Sequence, residues 1–348
     1  MTTPDDPARA TQMLREAEEA PAAVARQLAA NADAVGSLAE RLKSARPRFA
    51  VTTARGSSAH AATFGKYLIE TRLGLVTAAA APSVATLYGA RLDMANALFI
   101  AVSQSGRSPD LVDQAAAARK AGALTVALVN VADSPLAATC EAVLPLHAGE
   151  ERSVAATKSY IASLAALCQL TALWSGDQVL LSALDRLPDT LRVAAGLDWS
   201  AALEPLAAEQ DMLVVGRGFG FAIANEAALK MKETCFLHAE SFSAAELQHG
   251  PVTLVDDDYP VLVFSQEDET RPGVLELVEA LRGRGANVFV AEPGPAAPGR
   301  LPAAPPLHPA CDPIAMVQSF YGLAARLSVR RGLDPDQPRH LRKVTLTR

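Results

Sequence analysis

The sequence predicts an α/β protein made of two successive units, each a parallel sheet covered by helices. Two observations carry this. Short apolar runs alternate with helical runs along most of the 348 residues, the pattern of strands joined by crossover helices. The pattern then starts again. Arg217-Gly218 repeats Arg55-Gly56 and Ser265-Gln266 repeats Ser103-Gln104 with one and the same displacement, and Gly285-Ala286 repeats Gly122-Ala123 one residue further on.

Residues 9–44 are rich in Ala, Leu, Glu and Arg and read as helices, with Pro21 interrupting or opening one of them. FAVTTA from Phe49 reads as a strand, followed by the turn RGSSAH and the helix AATFGKYLIETR. ALFIAVSQ at 97–104 is the next strand, then SGRSPD and the helix LVDQAAAARKAG, and TVALVN at 125–130 is a third strand. Helices follow from Ala155 to Trp174 and through LSALDRLPDTLRVAAGL, with the polar stretch Ser175–Asp177 as a junction. The theme restarts with the strand and turn MLVVGRGFG and the helix FAIANEAALKMKE. VLVFSQ at 261–266, the helix LELVEALRGRGA and the strand NVFVAE continue it. PGPAAPGRLPAAPP at 293–306 reads as a surface connection, and the helix IAMVQSFYGLAARLSVRRG precedes a polar tail. The expected organisation is an N-terminal helical segment (1–44), a first domain (45–185), a second domain (200–333) and a tail (334–348).

The composition narrows the function classes. Half the residues are hydrophobic and one fifth are charged, which suits a globular chain. A net charge of -6, with no basic stripe and only 5% aromatic residues, argues against a nucleic-acid binder. The four cysteines form no CxxC and show no zinc spacing with the six histidines, so no metal site is expected. Cysteine usage and the absence of a signal-peptide core predict a reducing, cytoplasmic setting. LGLVTAAAAPSVATLYGA at 73–90 is broken by Pro82 and small polar residues and is not expected to span a membrane.

Four segments are candidates for chemistry. SQSGRSPD at 103–110 follows a strand and opens a helix, with Ser108 at the cap, Pro109 in the first helical position and Asp110 in the first turn. Its hydroxyls and free amides suit either a phosphate cradle or a well-capped turn. RGSSAH at 55–60 has the same placement and the same two readings. GRGFG at 216–220 resembles a dinucleotide loop only in part, because Phe221 stands where the third glycine belongs. Glu226, Lys230 and Glu233 share one helical face, and HAESFSAAELQHG supplies His238, Glu240, Glu246 and His249 in an expected loop and short helix. That cluster reads either as a salt-bridged surface or as the charged lining of a cleft that moves protons on a sugar. The tail DPDQPRHLRKVTLTR either frays or folds back to bring Lys343 to a site.

Six ordered blocks resemble one family. MLREAEEAPAAVARQL, RGSSAHA, SQSGRSPD, AGEERSVAATKSY, GRGFGFAIANEAALKMKE and HAESFSAAELQHGP, with the ending DPDQPRHLRKVT, are similar to the double sugar-isomerase (SIS) proteins. Within that family the likeness is to the isomerase half of glucosamine-6-phosphate synthase and to the SIS-type glucosamine-6-phosphate deaminases.

The resemblance implies two tandem flavodoxin-like αβα sandwiches, assembled as a homodimer, with no metal or organic cofactor. It implies a sugar-phosphate cradle of Ser58, Ser103, Gln104, Ser105 and Ser108, with Val154 lining the sugar. It assigns Glu233 to proton transfer between carbons 1 and 2, and Lys230 to the developing oxyanion. His249 is the ring-opening histidine, reaching in from the other subunit, and Lys343 is the tail lysine that contacts the sugar and forms an imine with its keto form. No cysteine occurs before position 140, so glutamine hydrolysis is not expected in this chain. SQSGRSPD and AGEERSVAATKSY lack the acidic residue after the glycine and the Pro-Glu pair that synthases more often show, which favours the deaminase. The alternatives are a synthase fed with ammonia, an isomerase of another phosphosugar, and a non-catalytic sugar-phosphate sensor.

Overall fold

The computed structural model describes residues 6–295 and 297–343. Ten strands and fourteen α-helices follow one another among them. The chain begins with helices α1 (Gln12–Glu18), α2 (Ala20–Ala30) and α3 (Ala32–Ala45), and then enters β1 (Phe49–Thr53) and α4 (Ser57–Leu73). After β2 (Thr77–Ala79) and α5 (Pro82–Thr86) come β3 (Ala97–Ser103), α6 (Pro109–Lys120), β4 (Leu124–Val129), α7 (Pro135–Thr139) and β5 (Ala142–Pro145). Two long helices, α8 (Lys158–Ser175) and α9 (Gln178–Ala195), and the short α10 (Leu203–Ala207) precede the second sheet. That sheet is built from β6 (Asp211–Gly216), α11 (Phe219–Cys235), β7 (His238–Ser243), α12 (Ala244–Leu247), β8 (Pro260–Phe264), α13 (Arg271–Arg282), β9 (Asn287–Glu292) and β10 (Arg300–Pro302). Helix α14 (Asp312–Arg330) closes the order.

The chain divides into two compact units that interleave in sequence. Among the described residues, the first-sheet unit takes 22–151, 158–185 and 342–343. The second-sheet unit takes residues 6–21, 152–157, 186–295 and 297–341. The N-terminal helices are therefore shared out, α1 to the second-sheet unit and α3 to the first-sheet unit.

The first sheet is parallel, in the order β2-β1-β3-β4-β5. Its middle strand, ALFIAVS, is buried at every position, as expected when helices cover both faces. Val51, Phe99, Ala127 and Leu136 are among the residues that form the core on one side. Helix α8 is buried around nearly its whole circumference, which explains its lack of a polar face. No described helix is long and apolar enough to cross a membrane.

The second sheet is also parallel, in the order β10-β9-β8-β6-β7, the same arrangement read from the other end. Val215, Val263, Val278 and Val290 are among its core residues. Phe264 stacks at tilted and edge angles between Trp199 and Phe320, 6.4 and 6.2 Å between ring centres, and so anchors α14. Helices α11 and α14 are also joined by Ser328 Oγ donating to the Thr234 carbonyl at 2.7 Å.

Two segments differ from expectation. HAESFS is a strand, not a loop: it pairs with β6 from Asp211↔His238 to Gly216↔Ser243. As an edge strand it needs few apolar residues, and its exposed His238 and Glu240 hid it from a hydrophobic pattern. The proline-rich connection contains β10, paired with β9 through Arg300↔Val290. Pro302 is tolerated there because the strand lies on the sheet edge.

Candidate functional site

In an open sheet the connections diverge at the strand where the order reverses, leaving a crevice beyond the carboxyl ends. In the first sheet that point lies between β1 and β3, and the turns leaving these two strands are RGSS and SQSGRS. The phosphate-cradle candidates therefore come together, and Arg55 and Asp110 join the two turns. Arg55 Nε and Nη2 both donate to Oδ2 of Asp110, at 2.9 and 2.7 Å. Asp110 is buried, so this pairing also removes an uncompensated negative charge from the turn. A second tie links Thr53 Oγ1 and Gln114 Oε1 at 2.5 Å.

The loop is shaped by its own hydrogen bonds. Ser103 Oγ accepts from the Gly106 amide at 3.0 Å, and Ser105 Oγ accepts from the Arg107 amide at 3.3 Å. Gly106 has φ +62°, and a Cβ there would lie 2.1 Å from Ser134 Oγ, so no other residue fits without displacing α7. Ser108 takes the cap position of α6, but its side chain makes no capping hydrogen bond. The hydroxyls of Ser58 and Ser108 and the amide of Gln104 are half-buried and make no side-chain hydrogen bond among the described residues. The signal for Arg55 and Asp110 was present in the sequence, but the two are far apart and only the sheet order joins them.

The matching crevice of the second sheet is closed. Gln266 is buried, and its Nε2 donates to the Arg217 carbonyl at 2.9 Å, to Asp268 Oδ2 at 2.8 Å and to Thr270 Oγ1 at 3.2 Å. Gly56 and Gly218, which open α4 and α11, adopt nearly the same backbone conformation, with φ +54° and +58°. The turns are alike in geometry but opposite in chemistry: Glu267, Asp268 and Glu269 follow β8, where Ser105, Gly106 and Arg107 follow β3. A carboxylate-rich turn repels a phosphate. This also explains GRGFG, whose Gly220 is packed against the Gln266 side chain, with a Cβ there 2.5 Å from Oε1.

Helix α11 carries the second cluster. Lys230 is fully buried, with Nζ 2.5 Å from Glu233 Oε2 and 3.4 Å from Glu226 Oε1. Burial alone pushes the lysine pKa down, but the two carboxylates outweigh it and hold the ammonium above its usual range. Glu226 has no exposure, whereas the Glu233 side chain is 22% exposed. The face predicted from spacing is thus an inward-facing ion cluster with one open carboxylate. Tyr321, from α14, donates its hydroxyl to Glu226 Oε1 at 3.2 Å and was not foreseen. His249 lies just beyond α12, exposed, and its ring makes no hydrogen bond among the described residues.

Val154 lies in a backbone segment held from two sides within the second-sheet unit. Glu16 Oε1 and Oε2 accept from the amides of Arg152 and Ser153 at 2.5 and 3.1 Å. The Val154 amide donates to the Asp336 carbonyl at 3.2 Å, and the Asp336 carboxylate in turn caps α1 through the amides of Gln12 and Met13. In the first-sheet unit, the Lys343 ammonium pairs with buried Glu151 at 3.2 Å. The last five positions of the tail lie outside the described residues.

With this geometry established, comparison with known proteins identifies the lineage. The SIS domain description matches residues 45–173 and 206–291. The chain belongs to the SIS domain family. A glutamine–fructose-6-phosphate aminotransferase (isomerizing) of Symbiobacterium thermophilum is 33% identical over 95% of this SIS chain. The chain spans 58% of that relative's length. A solved structure from Silicibacter pomeroyi DSS-3, provisionally described as a phosphosugar isomerase, is 43% identical. It superposes with a TM-score of 0.89, covering 94% of this chain and all of that one. The C-terminal domain of glucosamine-fructose-6-phosphate aminotransferase from Francisella tularensis is 25% identical, with a TM-score of 0.85 over 97% of this chain and all of that one.

Proposed function

We propose that this SIS protein is a glucosamine-6-phosphate deaminase, a sugar-phosphate aldose–ketose isomerase whose product loses ammonia. The observation that carries the reading is the Lys230–Glu233 pair, an open carboxylate bound at 2.5 Å to a fully buried ammonium. Such a pair suits a proton shuttle beside a developing oxyanion.

In this reading the phosphate takes the hydroxyls and amides of Ser58, Ser103, Gln104, Ser105 and Ser108. His249 assists ring opening. Its exposure suits a histidine that serves a second copy of the chain in a homodimer. Glu233 removes the proton from carbon 2 of the open-chain aldose and returns it to carbon 1, while Lys230 steadies the oxygen on carbon 1. The amine on carbon 2 becomes an imine, and water adds to that carbon and releases ammonia, leaving fructose 6-phosphate. Val154 lines the sugar. Lys343 contacts it and, with its proton removed, adds to the keto carbonyl and forms an imine as the carbonyl oxygen leaves as water.

A second reading is the isomerase half of an aminotransferase supplied with ammonia. It is supported by the 33% identity to an isomerizing aminotransferase, while the 43% identity to a chain described as a phosphosugar isomerase supports an isomerase of another phosphosugar equally. A non-catalytic sensor would need the cradle but not the assembled Lys230–Glu233 pair.

The test is to incubate the purified chain with glucosamine 6-phosphate, without glutamine, and follow ammonia and fructose 6-phosphate together. Equimolar appearance of both is expected. Isomerised sugar without ammonia, or binding with no turnover, overturns the deaminase reading.

A further inference from the structure

The proposed chemistry uses Lys230 and Glu233 but gives no task to Glu226 and Tyr321, both fully buried. A buried carboxylate is costly unless paired and hydrogen-bonded. Glu226 is both: one oxygen, Oε1, faces the Lys230 ammonium at 3.4 Å and accepts from the Tyr321 hydroxyl at 3.2 Å. The lysine comes from the same helix as Glu226, while the tyrosine comes from α14 packed against it. Two carboxylates therefore flank one ammonium on α11, and only Glu233 is open to solvent.

The two carboxylates differ in what the reaction asks of them. Glu233 becomes neutral whenever it holds the substrate proton. At that moment Lys230, in a fully buried position, would lose its nearest counter-charge. Glu226 exchanges no proton with substrate in this scheme, so its charge persists through the cycle. We propose that Glu226, steadied by Tyr321, is a positioning residue that keeps the Lys230 ammonium charged and fixed beside Glu233 while Glu233 is protonated. The proposal rests on the proton-shuttle reading above. Among the groups acting on the Lys230 charge are Glu226 and Glu233 on its own helix, and Tyr321 from α14 acts through Glu226.

Glu226→Gln keeps the shape and an oxygen for Tyr321 but removes the charge. The readout is the titration of Lys230 by NMR in protein carrying 13C-lysine, assigned with Lys230→Met. Losing an opposite charge this close is expected to lower the lysine titration by about one pH unit or more. The alkaline limb of kcat against pH is expected to move down with it, with KM changed less than about twofold, because the interaction acts in the proton-transfer step. Tyr321→Phe is expected to shift both in the same direction by less, and it carries the test if Glu226→Gln does not fold. An unmoved lysine titration and a superimposable kcat profile in an active enzyme overturn the role of Glu226. The lysine titration needs no substrate. A wild type that leaves glucosamine 6-phosphate unchanged therefore overturns the deaminase reading separately, whatever the titration shows.

Discussion

The ammonium of Lys343 lies 3.2 Å from Oε2 of Glu151, a carboxylate with no exposed side-chain surface. The same carboxylate accepts from the Ser159 amide at 3.1 Å and from the Ser159 hydroxyl at 2.6 Å, at the start of α8. One buried acid thus holds both a helix start and a residue of the tail, whose neighbours Leu341 and Arg342 are exposed. Glu151→Gln keeps an acceptor for the Ser159 amide and removes the charge facing the lysine. Turnover of glucosamine 6-phosphate is expected to fall about tenfold, as for loss of one charge-assisted hydrogen bond. Lys343→Met lowers it too, and the double variant is no worse than the poorer single one. A fully additive double-mutant cycle in kcat/KM would show that the two residues act independently.

Glu233→Gln preserves size and removes the base. Turnover is expected to fall by roughly 10²–10⁴, the usual contribution of a positioned acid–base group. Binding of the sugar phosphate, read as a ligand-induced rise in Tm, is expected to persist, because the cradle belongs to different turns. Near-normal turnover would remove Glu233 from the proton path.

Ser108 separates a cap from a ligand. It occupies the cap position of α6, yet its side chain makes no capping hydrogen bond. A capping serine costs about 1 kcal/mol on replacement by alanine. Ser108→Ala is therefore expected to leave Tm almost unchanged while raising KM roughly tenfold through one lost hydrogen bond to a charged phosphate. A lowered Tm with unchanged KM would make Ser108 a structural cap only.

The central parallel strands were legible because burial on both faces leaves continuous apolar runs such as ALFIAVS. The two crevice turns were legible because their serines and glycines follow those strands directly. The spacing of Glu226, Lys230 and Glu233 showed one helical face, but whether that face looks inward depends on α14, and Tyr321 is 95 positions from Glu226. Glu151, Glu16 and Asp336 were illegible for a related reason. Each is an ordinary acidic residue in sequence, and the folded chain alone joins Glu151 to Lys343, Glu16 to the amides of Arg152 and Ser153, and Asp336 to the amides of Gln12 and Met13. The edge strands β7 and β10 escaped because an edge needs neither apolar alternation nor freedom from proline.

Gly106 tests the shape of the proposed cradle rather than its chemistry. Its φ of +62° already disfavours a side chain, and a Cβ would also meet Ser134 Oγ at 2.1 Å and Ser134 Cβ at 2.6 Å. Ser134 cannot swing aside freely, because it caps α7 by accepting from the Ala137 amide. Gly106→Ala is expected to cost about 1–3 kcal/mol in stability, the range for a residue forced into a sparsely populated backbone region. Weaker binding of inorganic phosphate, read as a smaller phosphate-induced rise in Tm, is expected as well. Unchanged Tm and phosphate affinity would show that the loop relaxes without consequence.

All four cysteines are buried as free thiols. Burial pushes the Cys140 thiol up to about 11 and the Cys235 thiol up to about 12, so neither carries appreciable thiolate near neutrality. Cys235 is further occupied as a donor to the Ala324 carbonyl, across the α11–α14 contact. Native protein at pH 8 is expected to react with a thiol reagent only at the slow rate of unfolding, and all four thiols are expected to appear together in denaturant. Alkylation by iodoacetamide should leave turnover intact for as long as the fold is intact. Rapid modification of Cys235 in the native state would mean that α11 and α14 separate readily, and the steadying of Glu226 by Tyr321 would fall with that result.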